Sequence, residues 1–306
     1  MPAAPSREAA AAIAAAAHRA RPSLHLLPPI EARAHYEREG VPSYQPPVHD
    51  VLDVEVTPRV PARLYRPASG TLPVVLFFHG GGWVVGSIDT HEDMCRQLAV
   101  HSGCAVLSVG YGLAPEHAFP TAVDDAEAAL SWVLEHAEKY QLDSGRLAVA
   151  GDSAGGNIAA ALTMRTRAAG VPLRLQVLFY PVTTTDLDAG FAAAYDGLVL
   201  SREELGWHQD QYLPDPADRR HVESSPLDCA DHAGLPEAVV VVAECDPIAT
   251  QGLSYAEALR AAGVPVAVHL HRGAIHGFAQ SPGAFASGRT ALLRAGEAMH
   301  SALNPG

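Results

Sequence analysis

The sequence predicts an α/β fold: a mostly parallel, doubly wound central sheet with helices on both faces and a helical cap. Three observations carry this. Short, mainly apolar runs recur along the chain, as suits strands covered on both faces. Helical segments separate most of these runs, so the strands are joined by right-handed crossovers. Between Pro181 and Pro236 the alternation stops, and that stretch reads as an insertion with structure of its own.

The elements follow in order. Residues 9–17 are almost pure alanine, a strong helix former but only weakly hydrophobic. Arg7, Glu8, His18, Arg19 and Arg21 bracket the run, whereas a signal peptide needs a basic start, a strongly apolar centre and a clean cleavage site. A surface helix of the mature protein is expected. Pro22, Pro28 and Pro29 then make a turn, and a second helix is expected over 30–39. Residues 51–56 and 60–65 read as a leading strand pair. Residues 73–78 are an unbroken apolar run, repeated in kind at 104–109, 146–150, 174–179, 238–243 and 264–270. Helices are expected over 92–101, 122–140, 155–169 and 252–262, and within the insertion over 201–212. The domain boundaries expected are cap helices in 1–45, a sheet domain formed by 46–182 and 226–306, and a cap insertion at 183–225. The insertion reads as part of a lid packed with the N-terminal helices.

Of 306 residues 48 % are apolar, enough for a large core and unlike a disordered chain. The formal net charge is −13 with no Lys/Arg cluster, which excludes nucleic acid as a partner because phosphate binding needs massed cations. No stretch approaches the ~20 apolar residues that span a bilayer. A small-molecule partner is expected, away from membranes. Cys95, Cys104, Cys229 and Cys245 form no CxxC pair, and a chain of this length needs no disulfide scaffold, so reduced cysteines and a cytoplasmic location are expected.

Gly151-Asp152-Ser153-Ala154-Gly155-Gly156 closes an expected strand and opens an expected helix. At such a turn a serine hydroxyl stands clear of the backbone, flanking glycines remove obstructing Cβ atoms, and the helix N-terminus favours developing negative charge. A phosphate cradle is the rival reading, but neither the Walker lysine nor the dinucleotide fingerprint is present. Ser153 is the candidate nucleophile. His79-Gly80-Gly81-Gly82-Trp83 ends another core strand. Three successive glycines suit a backbone that a reacting group must approach, and the N–H groups of Gly81, Gly82 and Ala154 are candidate oxyanion donors. His79 reads as a brace for that loop.

An acid and a base are needed further along, each beyond a sheet strand and in that order. Asp246, after the 238–243 strand, is the candidate acid; Glu244 is its rival but sits closer to the strand, where it can bind backbone. His276 is the candidate base. His269 and His271 alternate within the preceding strand and share one face, which makes a metal pair conceivable; with no HExxH and no Cys or carboxylate set at ligand spacing, no metal is expected. Trp83, Ile248 and Phe278 are candidates for the pocket lining, or else ordinary core.

The chain resembles the bacterial hormone-sensitive lipase family of esterases, α/β hydrolases, in the branch with an aspartate before the nucleophile. The resemblance rests on His79-Gly80-Gly81-Gly82-Trp83, on Tyr111-Gly112-Leu113-Ala114-Pro115-Glu116-His117 with Phe119-Pro120, and on Gly151 to Gly156. It continues through Tyr180-Pro181, Ser225-Pro226-Leu227, Asp246-Pro247 and His276-Gly277-Phe278. It implies a triad of Ser153, Asp246 and His276, an oxyanion hole of Gly81, Gly82 and Ala154, a cap from the N-terminal helices and the insertion, and often a dimer through a sheet edge. Two departures stand out. Gly112 replaces the family's usual arginine, and Ile248-Ala249-Thr250-Gln251 replaces Leu-Arg-Asp-Glu. The expected activity is carboxylesterase hydrolysis of short- to medium-chain acyl esters through an acyl-enzyme, without cofactor. A lactonase or amidase on the same triad, and a small-molecule binding protein on the same scaffold, are the alternatives.

Overall fold

Eight strands form one sheet in the computed structural model, which describes residues 2–18, 22–38 and 44–304. They are β1 (Asp50–Thr57), β2 (Val60–Arg66), β3 (Leu72–Phe78), β4 (Ala105–Val109), β5 (Leu142–Asp152), β6 (Leu175–Phe179), β7 (Glu237–Cys245) and β8 (Val266–Ile275). The spatial order is β1-β2-β4-β3-β5-β6-β7-β8. The β1–β2 hairpin and its join to β4 are antiparallel; every pairing from β4 through β8 is parallel. After β3 the chain moves outward to β4 and then returns to β5 on the other side of β3. That reversal makes the β3/β5 boundary the switch point, where open α/β sheets leave a crevice beyond the strand ends.

The apolar runs of β3, β4 and β6 are covered on both faces, as expected. In β3, Val74, Leu76 and Phe78 join one core layer while Val75 and Phe77 join the other. Helices α3 (Glu92–Ser102) and α8 (Ala286–Leu303) pack on the second layer, and α4 (Thr121–His136), α5 (Ala154–Ala169) and α7 (Ala249–Ala261) mostly on the first. The sequence reading passed over α8. Its buried positions, among them Gly288, Ala291, Leu292, Ala295, Met299 and Leu303, keep the three-and-four spacing of a helix face, but small residues make that stripe faint. β8 runs five residues past its expected end. An edge strand covered on one side carries polar residues, and the 264–270 apolar run was only part of it.

No strand lies between β6 and β7; that interval holds α6 (Arg202–Tyr212), begun by a capping box of Ser201 and Glu204, and short 3₁₀ turns. The N-terminal stretch divides. α2 (Pro29–Glu37) and the turn Leu24–Leu26 adjoin α6 and the loop after β3: Arg33 donates to the Val84 and Ala114 carbonyls and pairs with Glu116. α1 (Arg7–His18) docks elsewhere, at the end of β8, where the Ser6 N–H donates to the Gly273 carbonyl at 2.8 Å. Arg19, Arg21 and Glu39, the expected limits of those helices, lie outside the described residues. Among the described residues no helix is long and apolar enough to cross a membrane.

One family departure has a structural explanation. A Cβ on Gly112 would lie 2.7 Å from Arg59 Nη1 and 2.8 Å from the His117 ring. Arg59, from the β1–β2 turn, occupies the space a side chain at 112 would need and pairs with the buried Asp125, which also accepts the Gly112 N–H at 2.8 Å. Gly112→Arg is therefore expected to destabilise the fold by about 1–3 kcal/mol, the usual range for overpacking. Combining it with Arg59→Ser should recover part of the loss, since the two side chains compete for one space; urea unfolding of the four proteins of the cycle reads the coupling.

Candidate active site

Sheet register brings the four loops together. Phe78 of β3 pairs with Gly151 of β5, so the loop from His79 begins beside the turn at Ser153. Cys245 of β7 pairs with Ile275 of β8, so Asp246 and His276 each follow a paired position immediately. β5 ends at Asp152 and α5 begins at Ala154, leaving one residue for the reversal. Ser153 takes that turn at φ 54° and ψ −117°, a strained conformation for a residue with a Cβ. Its N–H donates to the Phe179 carbonyl at 2.8 Å, which ties the turn to β6. The glycines are required by contact: a Cβ on Gly151 would fall on the Gly155 carbonyl, and one on Gly155 on the Phe78 carbonyl, both well inside 3.0 Å.

His276 Nε2 lies 2.9 Å from Ser153 Oγ, and its Nδ1 lies 2.7 Å from Asp246 Oδ2. The Asp246 side chain is fully buried, and its other oxygen accepts the Ile248 N–H at 3.0 Å, which fixes the carboxylate plane. Burial by itself pushes the His276 imidazole down. The Asp246 carboxylate, by charge and by hydrogen bond, with the Asp152 charge behind it, outweighs burial and holds the imidazole above its ordinary pKa. Glu244 accepts the Gly273 N–H at 2.8 Å and so braces the strand that carries His276. His269 and His271 lie on β8, where burial and Arg294 hold both imidazoles low, and His271 packs on Phe278.

The loop after β3 turns through Gly81 and Gly82 at φ 114° and 58°. The Gly81 carbonyl accepts from Val84 and Val85. Among the described residues no acceptor takes the N–H of Gly81, Gly82 or Ala154. The residue that anchors this loop is Asp152, which sequence reasoning left without a role. Its Oδ1 accepts the Gly80 N–H at 2.8 Å and lies 3.2 Å from His91 Nε2, and a Cβ on Gly80 would lie 2.5 Å from its other oxygen. The signal was present as the aspartate of the Gly151–Gly156 motif, but its target was not readable. His79 stacks on Tyr111 at 4.4 Å, and the Tyr111 hydroxyl donates to the His79 carbonyl. Burial and His91 drive the His79 pKa down to about 3, so the ring is neutral, as a brace should be.

Trp83, Ile248 and Phe278 are buried. Trp83 stacks on Tyr212 of α6 at 4.6 Å, and Phe278 packs on Tyr180, which in turn contacts the His276 ring. Sequence reasoning also missed His208 of α6. Its ring covers Gly82, where a Cβ would fall on it well inside 3.0 Å. At the other family departure, Gln251 accepts the Thr183 N–H at 3.0 Å and takes the Thr183 hydroxyl on its carbonyl, tying α7 to the loop after β6.

Residues 75–280 match the family described as alpha/beta hydrolase fold. The chain is 39 % identical to a carboxylic ester hydrolase, LipN, of Mycobacterium tuberculosis, over 87 % of this chain and 75 % of that one. It is 38 % identical to an ethyl acetate hydrolase of Pseudomonas putida, over 83 % and 84 %. A thermostable esterase from Pseudomonas putida superposes with a TM-score of 0.92 at 33 % identity, covering 100 % of this chain and 99 % of that one. An ester hydrolase from the metagenome of Lake Arreo, solved with a bipyridine phosphonate derivative, gives 0.90 at 35 % identity over 97 % and 98 %.

The environment of His276 makes a direct prediction. NMR titration should place its pKa above 6.5 in the native protein. In Asp246→Asn both contributions of the carboxylate vanish, burial outweighs what remains, and the value should fall below 6.5.

Proposed function

The chain belongs to the hormone-sensitive-lipase-like family of α/β hydrolases, and from that premise we propose that it is a carboxylesterase acting through Ser153, His276 and Asp246. The observation that carries the reading is the hydrogen-bonded chain from Ser153 Oγ through His276 to Asp246, at 2.9 and 2.7 Å, with the Gly81, Gly82 and Ala154 N–H groups left without an acceptor among the described residues.

His276 Nε2 takes the Ser153 proton as Oγ bonds to the ester carbonyl carbon. The Gly81, Gly82 and Ala154 N–H groups receive the oxyanion, and the N-terminus of α5 adds its positive end. Removal of one such donor typically slows turnover by about 10²–10³. Asp246 holds the imidazole tautomer and stabilises the imidazolium. The C–O bond then breaks as His276 returns the proton to the departing alcohol. A water molecule repeats the sequence on the acyl-serine, releasing the acid and restoring Ser153. This route draws on no cofactor or metal.

The cover over the site is assigned to 1–45 and 183–225. α2 and α6 supply the part above the oxyanion loop, supported by the Arg33 bonds and the seating of His208 on Gly82; α1 lies instead at the end of β8. Trp83, Ile248 and Phe278 shape the walls from behind. Such a cover suits small esters with short to medium acyl groups. A cytoplasmic location is supported by four free thiols. Homodimerisation through the free edge of β8 is supported by its ten-residue length and by Leu270, half exposed there. Sedimentation of the native chain should give twice the monomer mass, and a monomer would reject that pairing.

In kinetics on p-nitrophenyl esters from acetate to palmitate, turnover should favour the shorter acyl chains. Ser153→Ala should lower kcat by about 10⁴-fold or more. A correctly folded native protein that hydrolyses none of the series, or a clear preference for emulsified long-chain triglycerides, would overturn the reading. The kcat/KM profile should fall on the acid side as His276 gains its proton, with a midpoint above 6.5.

A further inference from the structure

α6 carries a group that the hydrolytic scheme does not use. His208 is only 6 % exposed, and its Nδ1 is buried without a hydrogen-bond partner. Burial, with His25 and His276 adding to it, lowers its pKa to about 4, so it is a neutral imidazole at working pH. Other buried polar atoms also lack partners, Tyr65 Oη and Gln176 Oε1 among them. Trp83 Nε1 and Tyr180 Oη, at this end of the sheet, lack partners too, and what separates His208 from them is that its ring lies against Gly82 from the cap side. Gly82 is one of the three candidate oxyanion donors, and an added Cβ there would strike Cγ and Nδ1 of the ring. It is also within electrostatic reach of His276. Trp207 packs edge-on against it at 4.8 Å and holds the ring from the side.

We propose that His208 is a specificity residue that contacts substrate, its imidazole hydrogen-bonding a heteroatom two to four bonds from the reacting carbonyl carbon. The proposal rests on the esterase reading above and names its substrate class: esters carrying an oxygen or nitrogen beside the reacting group, in preference to plain alkyl esters. A buried polar atom without a partner is costly, and leaving it unmatched when a hydrocarbon chain binds keeps that cost. A substrate heteroatom removes it. Sites built around such a group discriminate against isosteres lacking the heteroatom far more strongly than apolar pockets discriminate by size. A neutral imidazole can donate or accept, so ether, carbonyl and hydroxyl groups all qualify.

The test uses isosteric pairs. On the acyl side these are p-nitrophenyl methoxyacetate and p-nitrophenyl butyrate; on the alcohol side, 2-methoxyethyl acetate and butyl acetate. The ratio of kcat/KM within each pair is compared between the native enzyme and His208→Phe, so that intrinsic reactivity cancels. The oxygen preference is expected to fall about tenfold in at least one pair, the pair identifying the side contacted, and to return in part in His208→Gln. Ratios unchanged within about twofold in both pairs, with activity still dependent on Ser153, overturn the inference and leave the esterase reading intact, the imidazole then being satisfied by water. No Ser153-dependent hydrolysis of any of the four esters overturns both.

A second measurement does not depend on folding of the variants. The ¹⁵N resonances of the native His208 ring should shift on saturation with 1-methoxypropan-2-one and not with pentan-2-one. Equal shifts, or none, count against the contact.

Discussion

At Gly155 the backbone of α5 passes so close to β3 that a Cβ would fall on the Phe78 carbonyl oxygen, well inside 3.0 Å. That approach fixes the position of everything at the C-terminal edge of the sheet. It presses the start of α5 onto the strand that launches the glycine loop, so Ala154 and Gly81 come to share one crevice. It also leaves Ser153 no conformation except the strained one, with φ 54°. Strain of this kind costs about 1–3 kcal/mol and survives only where the surroundings over-determine it. Here they do: the Ser153 N–H is tied to β6, its carbonyl accepts from Asn157 and Val182, and α5 is buried along most of its length.

Asp152 converts this close packing into a coupled site. It is the last residue of β5, directly before Ser153, yet its carboxylate serves the other loop through Gly80. It also contributes to the raised pKa of His276. One buried carboxylate therefore touches the Ser153 turn, the glycine loop and His276, by backbone adjacency, hydrogen bond and charge respectively. Leaving such a carboxylate without a partner in the interior would be expensive, and the Gly80 N–H supplies one at 2.8 Å.

How much of this the sequence disclosed follows from what kind of signal each feature leaves. β3 to β7 were legible because strands buried on both faces are mostly apolar, and Ser153 and Asp246 stood out as candidates because each follows such a strand; His276 follows the edge strand β8, whose apolar run stops five residues before its end. The glycines of the two motifs were legible because close backbone approach admits nothing larger. α8 was faint because its buried face is made of Ala and Gly rather than Leu and Val. The exchange of partners at Gly112 could not be read at all. Arg59 lies more than fifty positions earlier, and only the folded hairpin brings its guanidinium to Asp125. His208 was hidden for the same reason, since nothing on α6 itself indicates that one of its faces rests on Gly82.

The histidines at this end of the sheet show how placement divides one residue type into different roles. Burial lowers the pKa of His79, His208 and His276 alike. For His79 the neighbouring His91 pushes the same way, and the ring is left neutral, stacked on Tyr111. For His208 no carboxylate stands near enough to reverse the effect, and the ring is left neutral and short of a partner. His276 has Asp246 at 2.7 Å, and that contact with the Asp152 charge reverses the sign. A proton carrier needs a pKa near its working pH, whereas a brace or a hydrogen-bonding wall needs a fixed protonation state. Buried imidazoles are fixed neutral by default. The one whose pKa is raised is the one beside which the fold has buried an acid.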